Sequence, residues 1–519
     1  MAIESRTSVT FGAKHYLSIF TIFSLTVFSG LSALDMDLAQ TVTGDLRDWV
    51  IEYFGWLFIA TATVALLLTI AFIFHPAANR VLGMPGDKPE FSRWSWFSML
   101  FSAGLASGLL YWGTAEPITH FEGNPFLGGT ESARQAATTA ITVTVFHWGL
   151  HGWGLYVLAS LAISLSAYPR GLPLTFSAGF IPLLGENRIR GWQGGLIDIL
   201  ALYGTVFGVA TSIGLAVGSM NATVEPLIGI TFSTSNQVAI VLLVCTLGIF
   251  SVLSGIGNGI RRLSELNVWL SLGLLLTLVA IGPTLYLLKS LPTNLWDYVE
   301  HVIPMGIWTA SKPANQAWQG AWTVFYWGWW LAWTPFVALF VARISRGRTV
   351  REFILGVLFV PSLVIVLWMS VFGGTAIYQK MMAAGAVSEA VTNDYSMGLV
   401  ATITNAASPT ITTLLLAVVA FLLFTWLITS LDSATLVICH ILHVDHLNSM
   451  KILWGLILGG VTCTLLLIGG VSALQAASII VGLPMAVLVL MLAVSATRAL
   501  VFTKVAAEPV RKVANEVSP

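Results

Sequence analysis

The sequence predicts an all-α polytopic membrane protein of twelve transmembrane helices, and three observations carry that expectation. Of its 519 residues 56% are hydrophobic and only 9% charged, where a soluble domain holds roughly a quarter charged residues. Apolar runs of about 20 residues, the length that crosses a bilayer, recur along the chain. The basic residues fall in alternate segments between those runs. Such a composition excludes a soluble enzyme, a nucleic-acid binder and a disordered scaffold. The balance of 24 basic against 24 acidic residues leaves no excess charge for a polyanionic partner.

The twelve runs cover about 15–34, 51–75, 94–115, 138–167, 194–221, 237–258, 266–288, 321–342, 352–377, 411–437, 452–470 and 475–500. With the N-terminus in the cytoplasm, the inside segments hold 19 of the 24 Lys and Arg residues. The outside segments hold only Arg47, Arg134, Lys289, Lys312 and Lys380. That asymmetry follows the positive-inside rule. With an even span count it places both termini in the cytoplasm of a multi-pass protein of the inner (plasma) membrane. The chain 1–519 reads as a single domain, with two peripheral helices in 15–75 and two five-helix repeats in 91–290 and 321–503.

Two spans carry signs of a break. The third contains Ser102, Ala103, Gly104, Leu105, Ala106, Ser107 and Gly108 in mid-membrane. The eighth contains Gly328 and Pro335. Each opens one of the two sets of five spans, and discontinuous helices in matching positions mark the sites of inverted-repeat transporters. A close-packing face of small residues is the other reading of the third span. The paired placement favours broken helices.

Aromatic residues concentrate in two spans. Trp322, Phe325, Tyr326, Trp327, Trp329, Trp330, Trp333 and Phe336 crowd the eighth. Phe146, Trp148, Trp153 and Tyr156 stand in the fourth, interleaved with Gly149, Gly152 and Gly154. An interfacial belt lies at one depth, whereas these residues run well into the span. Aromatic faces hold quaternary ammonium groups through the ring quadrupole, and such a group has no N–H to give a carboxylate. Core packing explains any single Trp; two clusters with glycines beside them favour a cation cage.

Ionisable residues within the spans are few. Asp432, beside Thr429 and Ser430, reads either as a functional group or as a structural polar contact. Thr429 and Ser430 offer oxygen ligands of the kind sodium takes, though such hydroxyls also bond back to their own helix. His147 and His151 read as packing residues ahead of a proton relay. Cys245, Cys439 and Cys463 lie in apolar runs and read as buried, inert thiols.

The stretch Trp322 to Phe353, including Ala342-Arg343-Ile344-Ser345-Arg346-Gly347-Arg348-Thr349, resembles the signature of the betaine/choline/carnitine transporter family. Gly113-Thr114-Ala115-Glu116-Pro117 does so too, and the resemblance covers nearly the whole chain. It implies twelve helices, of which helices 3–12 form a five-plus-five inverted-repeat core, and a homotrimer. By position, the family's aromatic box falls on Trp148, Trp153, Tyr156 and Trp330, with Trp327, Trp329 and Trp333 along the path. The substrate carboxylate would meet backbone N–H groups between Gly104, Ala106 and Gly108. A sodium site would use Thr429 and Ser430 with carbonyls of Ser102, Leu105 and Trp426. A second would use Thr205 and Phe336, but Val209 replaces an expected hydroxyl residue. Choline-transporting members carry Asp where Gly108 lies, and sodium-independent exchangers carry Arg on a helix that here, at about 266–288, has neither Arg nor Lys.

The expected function is therefore sodium symport of a betaine-like quaternary ammonium or sulfonium zwitterion by alternating access. No cofactor is expected beyond the coupling ion. Proton-coupled choline uptake and sodium-independent, carnitine-like exchange are the rival readings. A multi-pass membrane enzyme is more distant, because only His440, His443, Asp445 and His446 cluster as its chemistry would need.

Overall fold

The computed structural model describes residues 11–84, 86–104, 106–254, 257–382 and 386–502. Helices α1 (Phe11–Leu34) and α2 (Met36–Phe74) come first. They are followed by α3 (Arg93–Gly104), α4 (Ala106–Glu122), α5 (Ala133–Trp148) and α6 (Leu150–Ala167). Two single turns, α7 (Ile181–Leu184) and α8 (Glu186–Ile189), lead into α9 (Trp192–Ile228), α10 (Thr234–Ser254) and α11 (Gly257–Ile281). Next come α12 (Thr284–Ile307), α13 (Pro313–Gln319), a π-helical turn (Gly320–Val324), α14 (Phe325–Ile344) and α15 (Val350–Met381). The short α16 (Ala386–Asn393) and α17 (Met397–Ala406) precede α18 (Pro409–Ile441), α19 (Asn448–Gly469) and α20 (Val471–Thr497).

The protein is an all-α polytopic membrane protein. Among the described residues ten helices are long and apolar enough to cross a bilayer. An eleventh is gained if α11 and α12, bent by 117°, count as one span. The third expected span is described on either side of Leu105, as α3 of 12 residues and α4 of 17; the expected break at Leu105 itself lies outside the described residues. The seventh ends earlier than its hydropathy suggests. Pro283 restricts its neighbour Gly282 away from helical angles, and the chain turns there into α12.

Two further expectations change. The segment before about 51, read as a loop, is helical from Met36, since the Asp35 side chain accepts the Leu38 N–H at 2.9 Å and caps it. Hydropathy misses a polar helix extension. The eighth span is not broken at Gly328 or Pro335, because α14 runs through both. A Cβ on Gly328 would stand 3.0 Å from Ile479 Cα, so this glycine admits the backbone of α20. The break that hydropathy missed lies in the fourth span, at Gly149 (φ −90°, ψ −132°) between α5 and α6.

Buried residues run the length of α14, from Phe325 to Ile344. The helix packs against α6, α9 and α20. The Trp-rich span is thus the axis of the bundle, and what lines α6 and α9 meets it there.

Candidate functional site

The break at Gly149 organises the aromatic residues. Because α5 ends at Trp148, its last carbonyls lose intrahelical partners. Gly149 N–H donates to the Val145 carbonyl at 2.7 Å, and the Trp330 indole N–H donates to the His147 carbonyl at 3.0 Å. Tyr298, reaching in from α12, accepts the Leu150 N–H on its hydroxyl at 2.8 Å. The wheel of one continuous helix, which put Trp148 beside Trp153 and Tyr156, therefore does not apply. Tertiary contact brings them together instead.

Trp330 meets all three other residues of the expected box. Ring centroids lie 6.4 Å from Trp148, 6.0 Å from Trp153 and 4.9 Å from Tyr156, while Trp153 and Tyr156 are 5.7 Å apart. Three of these four pairs meet at 67–85°. Rings at such angles stand as adjoining walls rather than as a stack, and edge-to-face contact is also what aromatic quadrupoles favour among themselves. Glycines make the room: a Cβ on Gly152 would lie 2.4 Å from Trp330 Cδ2, and one on Gly108 would lie 2.5 Å from a Trp148 ring carbon.

The other three Trp residues of α14 diverge. Trp329 touches Trp148 (5.7 Å, 84°) and donates its N–H to Ser212 on α9 at 3.1 Å. Trp327 turns to Phe146 and His151 and has no ring contact with Trp330 among the described residues. Trp333 packs on Phe336 and against Gly208. Gly104 closes α3 and Ala106 opens α4, and Leu105 between them, where the break is expected, lies outside the described residues.

Of the expected sodium ligands, Thr429 donates its hydroxyl to the carbonyls of Thr425 and Trp426 at 3.0 and 3.2 Å, as hydroxyls in helices commonly do. Its lone pairs stay available. Ser430 follows it on α18, half-buried, and Ser102 belongs to α3. Thr205 on α9 bonds the Ala201 carbonyl at 2.8 Å, in a helix that packs against α14 and its Phe336; Val209 is buried on the same helix. Asp432 accepts from Ser251 on α10 at 2.5 Å.

A buried group that hydropathy passes over is Glu116, on α4. It accepts from Trp148 Nε1 at 2.9 Å and from the Tyr326 hydroxyl, and it meets His147 Nδ1 at 2.7 Å and His120 Nε2 at 3.2 Å. All five residues are buried. Glu116, His120 and His147 could hold a metal ion by residue type and proximity; here they contact one another directly at hydrogen-bond distances. The sequence signal was present, in the Gly113–Pro117 motif and His147, but nothing in their spacing joined them. The loop His440–His446, by contrast, forms no metal-ligand group of this kind among the described residues.

The segment Ala342–Thr349 has a structural task. Leu82 N–H donates to the Arg348 carbonyl and Gly347 N–H to the Leu82 carbonyl, at 2.8 and 2.7 Å. Gly347 sits at φ 85°, where a side chain is strained. Arg348 lies over the Trp96 ring at 4.0 Å and bonds Glu352, while Arg346 bonds Asp87 at 2.7 Å. This stretch ties the end of α14 to the loop after α2.

Membrane-length helices packed around a buried aromatic cluster are the architecture of a membrane transporter, and comparison with known proteins agrees. Residues 16–504 match the family described as BCCT, betaine/carnitine/choline family transporter, and the chain belongs to that family. It is 35% identical over 488 residues to the glycine betaine transporter OpuD of Bacillus subtilis, covering 93% of this chain and 94% of that one. It is 38% identical over 473 residues to glycine betaine transporter 1 of Vibrio parahaemolyticus, covering 89% and 88%. To the high-affinity choline transport protein of Escherichia coli K12 it is 36% identical over 464 residues, covering 88% of this chain and 68% of that one. The protein is a membrane transporter of quaternary ammonium compounds, not an enzyme.

Proposed function

We propose that the protein imports a betaine-like quaternary ammonium or sulfonium zwitterion by sodium symport. Trp148, Trp153, Tyr156 and Trp330 form the cage for the cationic head. The observation that carries this reading is the meeting of Trp330 with all three other rings, at 75° with Trp148, 67° with Trp153 and 46° with Tyr156, on helices from both halves of a chain of this family. Trp329 extends one wall through Trp148, and Trp333 lines the path beyond. The substrate carboxylate is received by N–H groups at the α3–α4 break, between Gly104 and Gly108. Gly108 lies directly against Trp148, so the cage comes within one side chain of that break.

Sodium is held by Thr429 and Ser430 with carbonyls of Trp426 and Ser102, and it orders the break on which the substrate rests. Coupling of this kind is reciprocal, so substrate raises sodium affinity as sodium raises substrate affinity. A second site at Thr205 and Phe336 has the weaker ligand set, because Val209 gives no oxygen. The carrier works as a homotrimer of twelve-span subunits with both termini in the cytoplasm.

The test is radiolabelled uptake into proteoliposomes with imposed sodium or proton gradients. The panel takes glycine betaine, choline, carnitine and a sulfonium analogue. Uptake driven by sodium and greatest for a zwitterion is expected. Equal uptake without sodium overturns the symport, and preference for choline overturns the substrate class.

A further inference from the structure

Glu116 is a fully buried carboxylate on α4, and each of its oxygens meets two partners. Oε2 takes the Trp148 indole N–H at 2.9 Å and the Tyr326 hydroxyl. Oε1 meets His147 Nδ1 at 2.7 Å and His120 Nε2 at 3.2 Å. Indole can only donate, which makes Oε2 an acceptor. His147 Nε2 stands 3.0 Å from the Thr323 hydroxyl. With that hydroxyl donating, His147 carries its proton on Nδ1 and gives it to Glu116. With His120 likewise protonated on the Nε2 that faces Glu116, four donors surround one carboxylate and satisfy the anion, and charge-assisted bonds of this kind are the strong ones.

The arrangement also has direction. Trp148 touches Trp330 and Trp329 with its ring and Glu116 with its N–H. An indole whose N–H is held by an anion is the more electron-rich on its faces, and cation–π attraction depends on that electron density. A buried charge is costly unless it is paired and hydrogen-bonded. A full negative charge one ring behind the cage offers a cation attraction without a carboxylate in the cage itself.

We propose that Glu116 is the remote countercharge of the substrate site. Acting through Trp148, it sets the preference for a cationic head over a neutral one of the same shape. The proposal rests on the reading of Trp148 as a cage wall. Glu116 is a positioning and polarising residue; it does not touch substrate.

The test compares two ligands of one shape on the purified transporter: glycine betaine, and 3,3-dimethylbutanoate, in which a quaternary carbon replaces the nitrogen. Calorimetric titration gives the two affinities and their ratio. Glu116→Gln is expected to weaken betaine by tenfold or more and 3,3-dimethylbutanoate by less than twofold. In a Trp148→Phe background, which lacks the N–H, the same change should leave the ratio within twofold of its value in that background. Equal weakening of both ligands by Glu116→Gln would mean a purely structural knot of α4, α5 and α14, and overturns the proposal. So does an unchanged ratio. If Glu116→Gln does not accumulate as folded protein, Trp148→Phe alone is read in its place; a wild-type ratio there overturns the proposal, and a tenfold fall supports it. A wild-type transporter that binds the two ligands equally refutes the cage reading itself, a distinct failure.

Discussion

Gly152→Ala adds one methyl group to the protein and tests the cage without removing any ring. On the observed backbone the new Cβ stands 2.4 Å from Trp330 Cδ2 and Cε2 and 2.7 Å from Cζ2. Carbon atoms come to rest at about 3.5–4.0 Å, so the indole must retreat by more than about 1 Å. It is a rigid plane, 4% exposed, and held by its N–H at 3.0 Å from the His147 carbonyl. Movement of the ring stretches that bond and closes or opens the walls toward Tyr156 and Trp153. Overpacking of this kind costs about 1–3 kcal/mol. Displacement of a binding group by 1 Å can cost on the order of 100-fold in function. The expected result is a fall in glycine betaine uptake of at least about tenfold, scaled from that figure, with transporter still present in the membrane. Gly460→Ala is the control: it is also a helical glycine, with nothing within 4 Å of its Cβ position, and it should leave uptake unchanged. Radiolabelled uptake into proteoliposomes, normalised to folded protein, reads both. If Gly152→Ala transports at the wild-type rate with wild-type affinity, Trp330 is not a wall of the site.

Three other predictions follow from separate parts of the molecule. Trp330→Leu, which removes the ring shared by three of the four box contacts, should reduce uptake to background while the protein still reaches the membrane; retained uptake counts against the cage. Thr429→Val keeps the shape but deletes the hydroxyl that bonds the Thr425 and Trp426 carbonyls. It should raise the sodium concentration for half-maximal uptake at least about tenfold, the loss of one ligand at about 1.4 kcal/mol, and an unaltered sodium dependence would remove Thr429 from the site. The Arg346 guanidinium, aided by the Met84 N–H, holds the half-buried Asp87 carboxyl below its ordinary range. A depressed folded pKa gives stability that is present above the unfolded value, about 3.9, and is lost as pH falls through the folded one. Melting temperatures of wild type and Asp87→Asn should differ at pH 7 and converge once the pH has fallen through the depressed folded pKa; a gap independent of pH would show that the Arg346 pair does not contribute.

The architecture was legible wherever it depends on hydropathy along the chain. Spans such as 452–470 and 475–500 coincide closely with α19 (Asn448–Gly469) and α20 (Val471–Thr497). Hydropathy failed where a helix is continued by polar residues, as in α2 from Met36, or interrupted by a single residue, as at Gly149. Gly328 and Pro335 misled in the opposite sense. A glycine can mark a backbone opening or a close crossing of two helices, and only the position of α20 decides between them.

The site divides along the same line. Sequence by itself determined that the chain is a membrane transporter of this family, and that Trp148, Trp153, Tyr156 and Trp330 belong together, because residue type and motif carry that much. Tertiary structure alone decided how they meet: Trp148 ends one helix, Trp153 and Tyr156 begin the next, and Trp330 bridges them by bonding a carbonyl that the break set free. It also decided that Glu116, 31 and 32 residues before His147 and Trp148, bonds both of them. A hydrogen bond acts over about 3 Å of space and takes no account of distance along the chain. No local pattern could have recorded it.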